Sequence, residues 1–515
     1  MTMVFQNSLA CRMLLALWHT LTGWLADSGT ARLYYKIEGA IIRWLKGSVL
    51  CTFLARRSRV TNAWENSLTA RLLDGVTNLV PTLLHKLYQK LQPMWDGSLA
   101  FRLVAGAGEN VPAILSWLFL AMMVIEHGNW NNMYSLLVAV LCLCLVFAAA
   151  MRRPALRLDV KAFHPYLWAF FFLLCVGVVH AVSRSVSLRY LLYFATAILL
   201  ALLVMSTVDS LKQLKRLAAF GCAGIPVAAL YGVYQLVVLG FENSSSTVDM
   251  ELNVNMPGRV ISFFDNANTF AQVLVMMLAL NLGLLFASRT FWGKLASLVT
   301  FCFGLVGIAM TYSRASWIGL VVAVFLFVLI AERRLIPVLI VGAIAMLPFL
   351  PASIYNRILT IFDPSDSSTS SRFPIYSVGL QVWETSPVIG VGLGSELSAK
   401  LAHNSGWYHQ RFKFPHYHNI YLQLAVELGI LGVGSYVAGF IAACKETLRA
   451  VTAPNTDQGL RYMIAGCFSG LAGIMVCGLA DYFWHYPRVM AIFWLIFGMM
   501  LCGIRLAKRE AIAEN

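Results

Sequence analysis

Charge is scarce in this chain. Of 515 residues, 12% are Asp, Glu, Lys or Arg, about half the share in soluble globular domains. Acidic residues are scarcer still, 24 against 39 Lys and Arg. With 59% hydrophobic residues and a mean hydropathy of +0.71, an ordinary soluble domain is excluded. The composition is that of a polytopic membrane protein, since each crossing of a ~30 Å hydrocarbon core takes ~20 apolar residues. No basic segment is interleaved with aromatics as in a nucleic-acid module, so no nucleic-acid partner is expected. The formal charge of +15 reads instead as topology and attraction to anionic lipid. The 11 cysteines fall in the N-terminal region, in apolar runs or at their cytoplasmic ends, and offer no disulfide framework. The first 30 residues lack a basic start followed by a clean apolar run, so no cleavable signal peptide is expected.

Residues 1–110 differ from the rest. They hold 12 Lys and Arg against 6 Asp and Glu, and no run long enough to span. Tyr34, Ile37, Ile41, Trp44, Leu45 and Ser48 follow helical spacing, with Arg32, Lys36, Arg43 and Lys46 opposite. Such a helix either lies on a membrane surface, apolar side down, or buries the stripe in a small helical domain. Four serines (Ser8, Ser28, Ser67 and Ser98) each precede an apolar helical run and suit helix N-caps. This region reads as a cytoplasmic amphipathic helical unit, followed by a transmembrane domain over 111–515.

Twelve apolar runs are read as spans, at 112–125, 133–151, 166–182, 188–206, 217–239, 266–287, 295–311, 315–331, 335–350, 419–443, 462–480 and 489–504. Basic residues cluster in alternate loops: Arg152 to Lys161, Lys212 to Arg216, Arg289 and Lys294, Arg333 and Arg334, Lys445 to Arg461, and Arg505 to Arg509. The positive-inside rule puts these loops, and both termini, in the cytoplasm. The long loop 351–418 then faces outward. Arg184 and Arg189 run against the rule, as headgroup or substrate contacts.

The sorting leaves Arg259, Arg314, Arg372 and Arg488 at outward mouths where topology gives no reason for them. Arg314 stands between two spans with almost no loop. A guanidinium there needs a wet cavity or an anion, since in hydrocarbon it costs ~2.5–3.5 kcal/mol. The guanidinium fork matches phosphate oxygens and keeps its charge, so several outward arginines suit a diphosphate. His416 and His418 open the next apolar helix, and His418 has the pKa range of a general base. Glu427 lies two turns further in and is expected to face the bundle, where it holds helices together. The GVGLG run at 390–394 follows no strand and is read as a turn, not a nucleotide loop. His403, His409, His416 and His418 fit no standard zinc spacing. No cysteine and no clear carboxylate partner is near them, so no metal and no cofactor is expected.

Taken in order, these pieces resemble the O-antigen ligase and polymerase superfamily of bacterial envelope glycosyltransferases. They are Arg259 with NANTFA at 266–271, SRASW at 313–317, Arg372 through PVIGVGLG at 387–394, and HNIYLQ at 418–423 with Glu427. The likeness is best over 259–432. It implies an all-α, GT-C-like fold with a large outer loop before the tenth span, in a bacterial inner membrane. It implies transfer of a glycan from undecaprenyl diphosphate to an acceptor hydroxyl, without metal or nucleotide sugar. Arg259 and Arg372 would bind the donor diphosphate with help from Arg314. His418 would activate the acceptor, and Asn419, Tyr421, Glu427 and Arg488 would support. The partners implied are a lipid-linked glycan donor, a glycan or lipid acceptor, and membrane lipid. The first hundred residues depart from the usual pattern and leave the acceptor open. Two other readings stand beside this one. A transporter or flippase of an anionic solute would carry charges near mid-membrane, and a scaffold would dock partners through residues 1–110.

Overall fold

Long apolar runs can satisfy their backbone in hydrocarbon as helices, and every regular element described is helical. The structure, a computed structural model, describes residues 58–95, 97–130, 132–151, 156–181, 183–239, 258–360, 370, 372–404 and 416–513, with scattered positions before 58. The amphipathic stretch read over 34–48 falls mostly outside them, as do Ser8, Ser28 and His409.

Three helices precede the bundle: α1 (Arg59–Glu65), α2 (Leu68–Trp95) and α3 (Leu99–Glu109). The serine caps form as read, with Ser67 Oγ accepting from the Ala70 N–H at 3.0 Å and Ser98 Oγ from Phe101 at 3.5 Å. The bundle comprises α4 (Val111–Val124), α5 (Asn132–Ala150), α6 (Pro165–His180), α7 (Arg184–Thr207), α8 (Leu211–Tyr234), α9 (Ala267–Ala287), α10 (Phe291–Met310) and α11 (Arg314–Ala331). It continues through α12 (Ile336–Met346), α13 (Ala352–Leu359), α14 (Arg372–Thr385), α15 (Ser395–Asn404), α16 (Ile420–Thr452), α17 (Gln458–Cys477) and α18 (Pro487–Ala513).

All twelve apolar runs are helical, but among the described residues nine helices are long and apolar enough to cross a membrane unaided. The shortfall has local causes. Pro112 forces a fresh start just past Asn110, and α3 meets α4 at 73°. The stretch around α12 meets α13 at 118°, where Pro351 caps the new helix. The run of α6 has only 16 residues.

The centre is built from α9, α17 and α18, which are apolar nearly all round and almost fully enclosed. Small residues let the backbones touch. A Cβ on Gly470 would sit 2.7 Å from the Met276 carbonyl oxygen, and one on Gly466 2.8 Å from that of Ala279. Alternation of the helices sorts the loops. One end carries basic side chains such as Lys215, bonded to the Ala287 carbonyl at 2.7 Å, and Arg289, paired with Asp457 at 3.5 Å. The opposite end carries the loops of the predicted site.

The helices α2 and α3 dock at the basic end. Asn78 donates to the Leu158 carbonyl at 3.0 Å and accepts from its N–H at 2.7 Å. Asp74 pairs with Arg157 at 2.5 Å, and His85 Nδ1 lies 2.9 Å from the Ala150 carbonyl.

Candidate active site

Three loops meet at the end away from these basic residues, and each carries a non-glycine residue forced into the left-handed region. They are Ser262 (φ 54°), Tyr312 (φ 51°) and His418 (φ 46°). Such residues cost on the order of 1 kcal/mol or more and cluster where function holds the backbone. The loops are anchored to one another: Val260 N–H donates to the Met310 carbonyl at 3.1 Å.

His418 comes from the loop before α16, and its Nδ1 lies 3.2 Å from Asp481 Oδ1. Asp481 is buried. It also accepts from the Tyr482 N–H at 2.8 Å and, through Oδ2, from Gln272 Nε2 at 2.8 Å. Burial alone would raise the carboxyl. The His418 hydrogen bond, the charges of His418 and His416 and then that of Arg372 outweigh it and hold the group well below the usual carboxylate range. An ionised Asp481 fixes a proton on His418 Nδ1, which leaves Nε2 as the basic nitrogen. His416 lies behind, buried, its ring centroid 4.3 Å from that of His418. Burial pushes it well below the usual imidazole range. Its Nδ1 accepts the His418 N–H at 3.2 Å, a bond that needs a neutral ring. Tyr376 on α14 donates to the His418 carbonyl at 3.2 Å.

Arginines surround this pair. Arg259 Nε donates to the Thr311 carbonyl at 2.8 Å, and Nη2 to Asn268 Oδ1 at 2.5 Å. Its pKa is held down to about 10, first by burial and then by the charges of Arg357, Arg372 and Arg314, with Asp481 opposing. Four guanidinium groups from four chain segments thus share one neighbourhood. Arg314, at the head of α11, donates to the Thr360 carbonyl at 2.5 Å. Arg372, at the first turn of α14, acts by its charge on Arg259, His416 and Asp481. Beside the histidines opens a cavity of about 470 Å³, lined by His127, Trp130, Asp265, His485 and Tyr486 among others. His127 pairs with Asp265 there at 2.6 Å.

The remaining sequence-derived residues sit in the scaffold. Asn419 caps α16 by accepting from the Tyr421 and Leu422 N–H groups. Tyr421 donates to the Met475 carbonyl at 2.9 Å. Glu427 is buried and accepts from Gln423 at 2.7 Å; Gln423 also bonds Ser398 and the Tyr417 N–H. Arg488 is buried, donating to the carbonyls of Ile125 at 2.5 Å and Phe263 at 2.7 Å, its guanidinium 4.2 Å from the Phe264 ring centroid. Arg184 is exposed, and Arg189 lies 5.9 Å from the Tyr190 ring centroid.

The GVGLG turn has a structural task. Glu427 and Gly429 lie where α16 breaks (Gly429 φ 67°). The turn feeds its backbone into the gap, with Val391 N–H on the Val426 carbonyl at 2.9 Å and Ile430 N–H on the Pro387 carbonyl at 2.9 Å.

Residues 298–437 match the family described as O-antigen ligase. That stretch is similar to O-antigen ligases. No curated protein matches the chain. The ligase match spans Arg314, Arg357, Arg372 and His418, and together with the apolar helices it supports a multi-pass bacterial membrane protein of glycan transfer, with lipid-linked glycan substrates. Asp481, Gln272, Asn268 and Arg259 lie outside the matched ligase segment.

Asp481 also corrects one expectation. The histidines do have a carboxylate partner, 63 residues further on from His418. His416, His418 and Asp481 offer one ligand atom each within 4.8 Å, a spacing that would suit a metal ion. Asp481 and Arg357 were both open to view as charges within outward segments. Nothing local in the sequence pairs them with the site.

Proposed function

We propose that the chain moves a glycan from an undecaprenyl-diphosphate-linked donor to an acceptor hydroxyl, by single displacement on a GT-C-like bundle. Arg259 and Arg372, aided by Arg314 and the newly seen Arg357, hold the diphosphate. His418 Nε2 takes the acceptor proton, and the acceptor oxygen then bonds to the anomeric carbon. The bond from that carbon to the phosphate oxygen breaks, and its electron pair leaves with the lipid diphosphate, whose charge the guanidinium groups stabilise. The anomeric configuration inverts. Asp481 keeps His418 in the useful tautomer, and the cavity beside His485 gives room for a sugar. The reaction runs without metal, at an extracytoplasmic site, with both termini in the cytoplasm.

The observation that supports this reading most is the meeting of four guanidinium groups with His418 on a buried Asp481. Charges gathered at one end of the bundle are the reverse of the mid-membrane placement that a transporter favours. The test is glycan transfer in membranes by alanine variants at Arg259, Arg372 and His418, with and without chelator. Transfer should vanish in each variant while insertion persists, and chelator should leave the parent unaffected. Normal transfer by the variants rejects the residue roles. Profiling a deletion strain then separates the two family activities: unpolymerised lipid-linked repeats mark a polymerase, and full-length unattached chains a ligase.

A further inference from the structure

The helix α2 has three faces where a docked amphipathic helix needs two. One face is packed: Ala70, Asn78 and Pro81 are buried, and Asp74 and His85 bond to the bundle. A second carries Leu72, Val76, Leu79, Val80, Leu83 and Leu87, each between 52% and 71% exposed. A third carries Arg71, Thr82 and Gln89, also exposed, roughly a third of a turn from the leucines at ~3.6 residues per turn. A helix in water would not separate an apolar outer face from a polar one. A helix lying in the boundary of a bilayer would, with protein on one side, acyl chains on the second and water on the third.

The placement of α3 fits the same boundary. It bends 73° from α4, and α4 packs along the spanning α8, with Phe119 against Gly221 and Met123 against Gly224. α3 therefore runs close to the membrane plane. Its depth is fixed by Gly108, where a Cβ would meet the Ala148 carbonyl oxygen at 2.1 Å, at the end of the spanning α5. The contact of His85 with Ala150 sets α2 at that same level. A stacked pair, Tyr88 and Phe101 at 5.3 Å, joins the two helices. Leu99 and Leu103 on α3, each 67% exposed, continue the apolar stripe. The charge is matched to an acidic leaflet. Arg71, Lys86, Lys90 and Arg102 are exposed, and Asp74, the one acidic residue of α2, is turned inward onto Arg157.

We propose that α2 and α3 form a lipid-immersed collar, with the leucine stripe among the acyl chains of the leaflet at the end of the bundle opposite the site. Its lysines and arginines engage anionic phospholipid headgroups. The occupant of the exposed face is lipid, continuous with the belt around the spanning helices, and not a second copy of the chain or another protein.

The test uses the full chain in native membranes, with a benzophenone side chain placed singly at Leu79, Leu83, Thr82 or Gln89 by codon suppression. Illumination should give phospholipid adducts at 79 and 83, at least about tenfold above 82 and 89. Crosslinks from 79 and 83 to protein overturn the proposal, and so does a yield at 79 and 83 no higher than at 82 and 89. A second arm places the full chain in nanodiscs of phosphatidylcholine alone or with one-third phosphatidylglycerol, and follows amide exchange over α2. Exchange should slow several-fold with the anionic lipid, and this gain should be lost on combining Arg71→Gln, Lys86→Gln and Lys90→Gln. Equal exchange in the two discs overturns the headgroup contacts.

Discussion

Asp481 and His418 lie 3.2 Å apart although 63 residues separate them in sequence. The carboxylate does not face the arginine cluster as a free acid, because Gln272 and the Tyr482 N–H complete its hydrogen bonds. In the proposed mechanism it acts through the imidazole. Asp481→Asn should therefore cut the turnover number by about 10²–10⁴-fold, the range of a lost general-base contribution. The KM for the lipid-linked donor should barely move. A matching rise in KM would show that Asp481 touches substrate instead.

Arg372 and Arg488 look alike in sequence, both outward and isolated, but their surroundings predict opposite failures. Arg488→Met leaves two buried carbonyls without their donor and should cost about 3 kcal/mol or more of stability. It should read as a lowered Tm in detergent. Arg372→Ala should keep its Tm and lose transfer. Melting curves and transfer assays on the two variants decide this, and a stable, inactive Arg488→Met would move that residue into the site.

Gly429 sits where α16 opens to admit the GVGLG turn. A Cβ there would lie 2.1 Å from the Val388 carbonyl carbon, on a backbone with φ 67°. Gly429→Ala should cost more than about 2 kcal/mol. Gly434→Ala, five residues on in the same helix, meets nothing within 4 Å and should be neutral or gain about 0.5–1 kcal/mol. Thermal unfolding of the pair measures the difference, and similar losses in both would remove the turn's claimed fit.

Two buried rings should make the fold sensitive to acid. His416 is held well below its ordinary value of 6.5 by burial, and His164 is pushed down to about 4 by the same cause. An unfolded chain takes up protons below about pH 6.5, while these folded rings do not. Stability is therefore full above that pH and falls as pH drops through the window from 6.5 toward 4. His416→Gln should flatten the fall in Tm between pH 7.5 and 5 without abolishing it, since His164 remains. An unchanged slope would argue against a neutral His416.

Much of the architecture could be read from the chain because apolar runs near twenty residues have few other uses. Arg259, Arg314, Arg372 and His418 stood out for a related reason, as polar groups in places where hydrocarbon makes them costly. Arg357 and Asp481 carried no such mark. Arg357 lay in a stretch read as loop, and only the folding of α13 turns it inward to the Tyr312 carbonyl at 3.4 Å. Asp481 is one residue in a short outward loop, and its meaning depends on His418, a long-range contact that no local spacing encodes. Arg488, Asn419 and Tyr421 were read as supporting residues, and the structure gives each of them carbonyls or helix ends to satisfy.

The matched segment, 298–437, and the candidate site do not share borders. Cut out on its own, that stretch would keep His418 and Arg372 but forfeit Asp481, Gln272 and Arg259, which arrive from α9, from the turn ahead of it and from the turn ahead of α18. Chimeras made by swapping this stretch between relatives will therefore pair an imidazole from one parent with a carboxylate from the other, and their activity will report how well the two halves were matched.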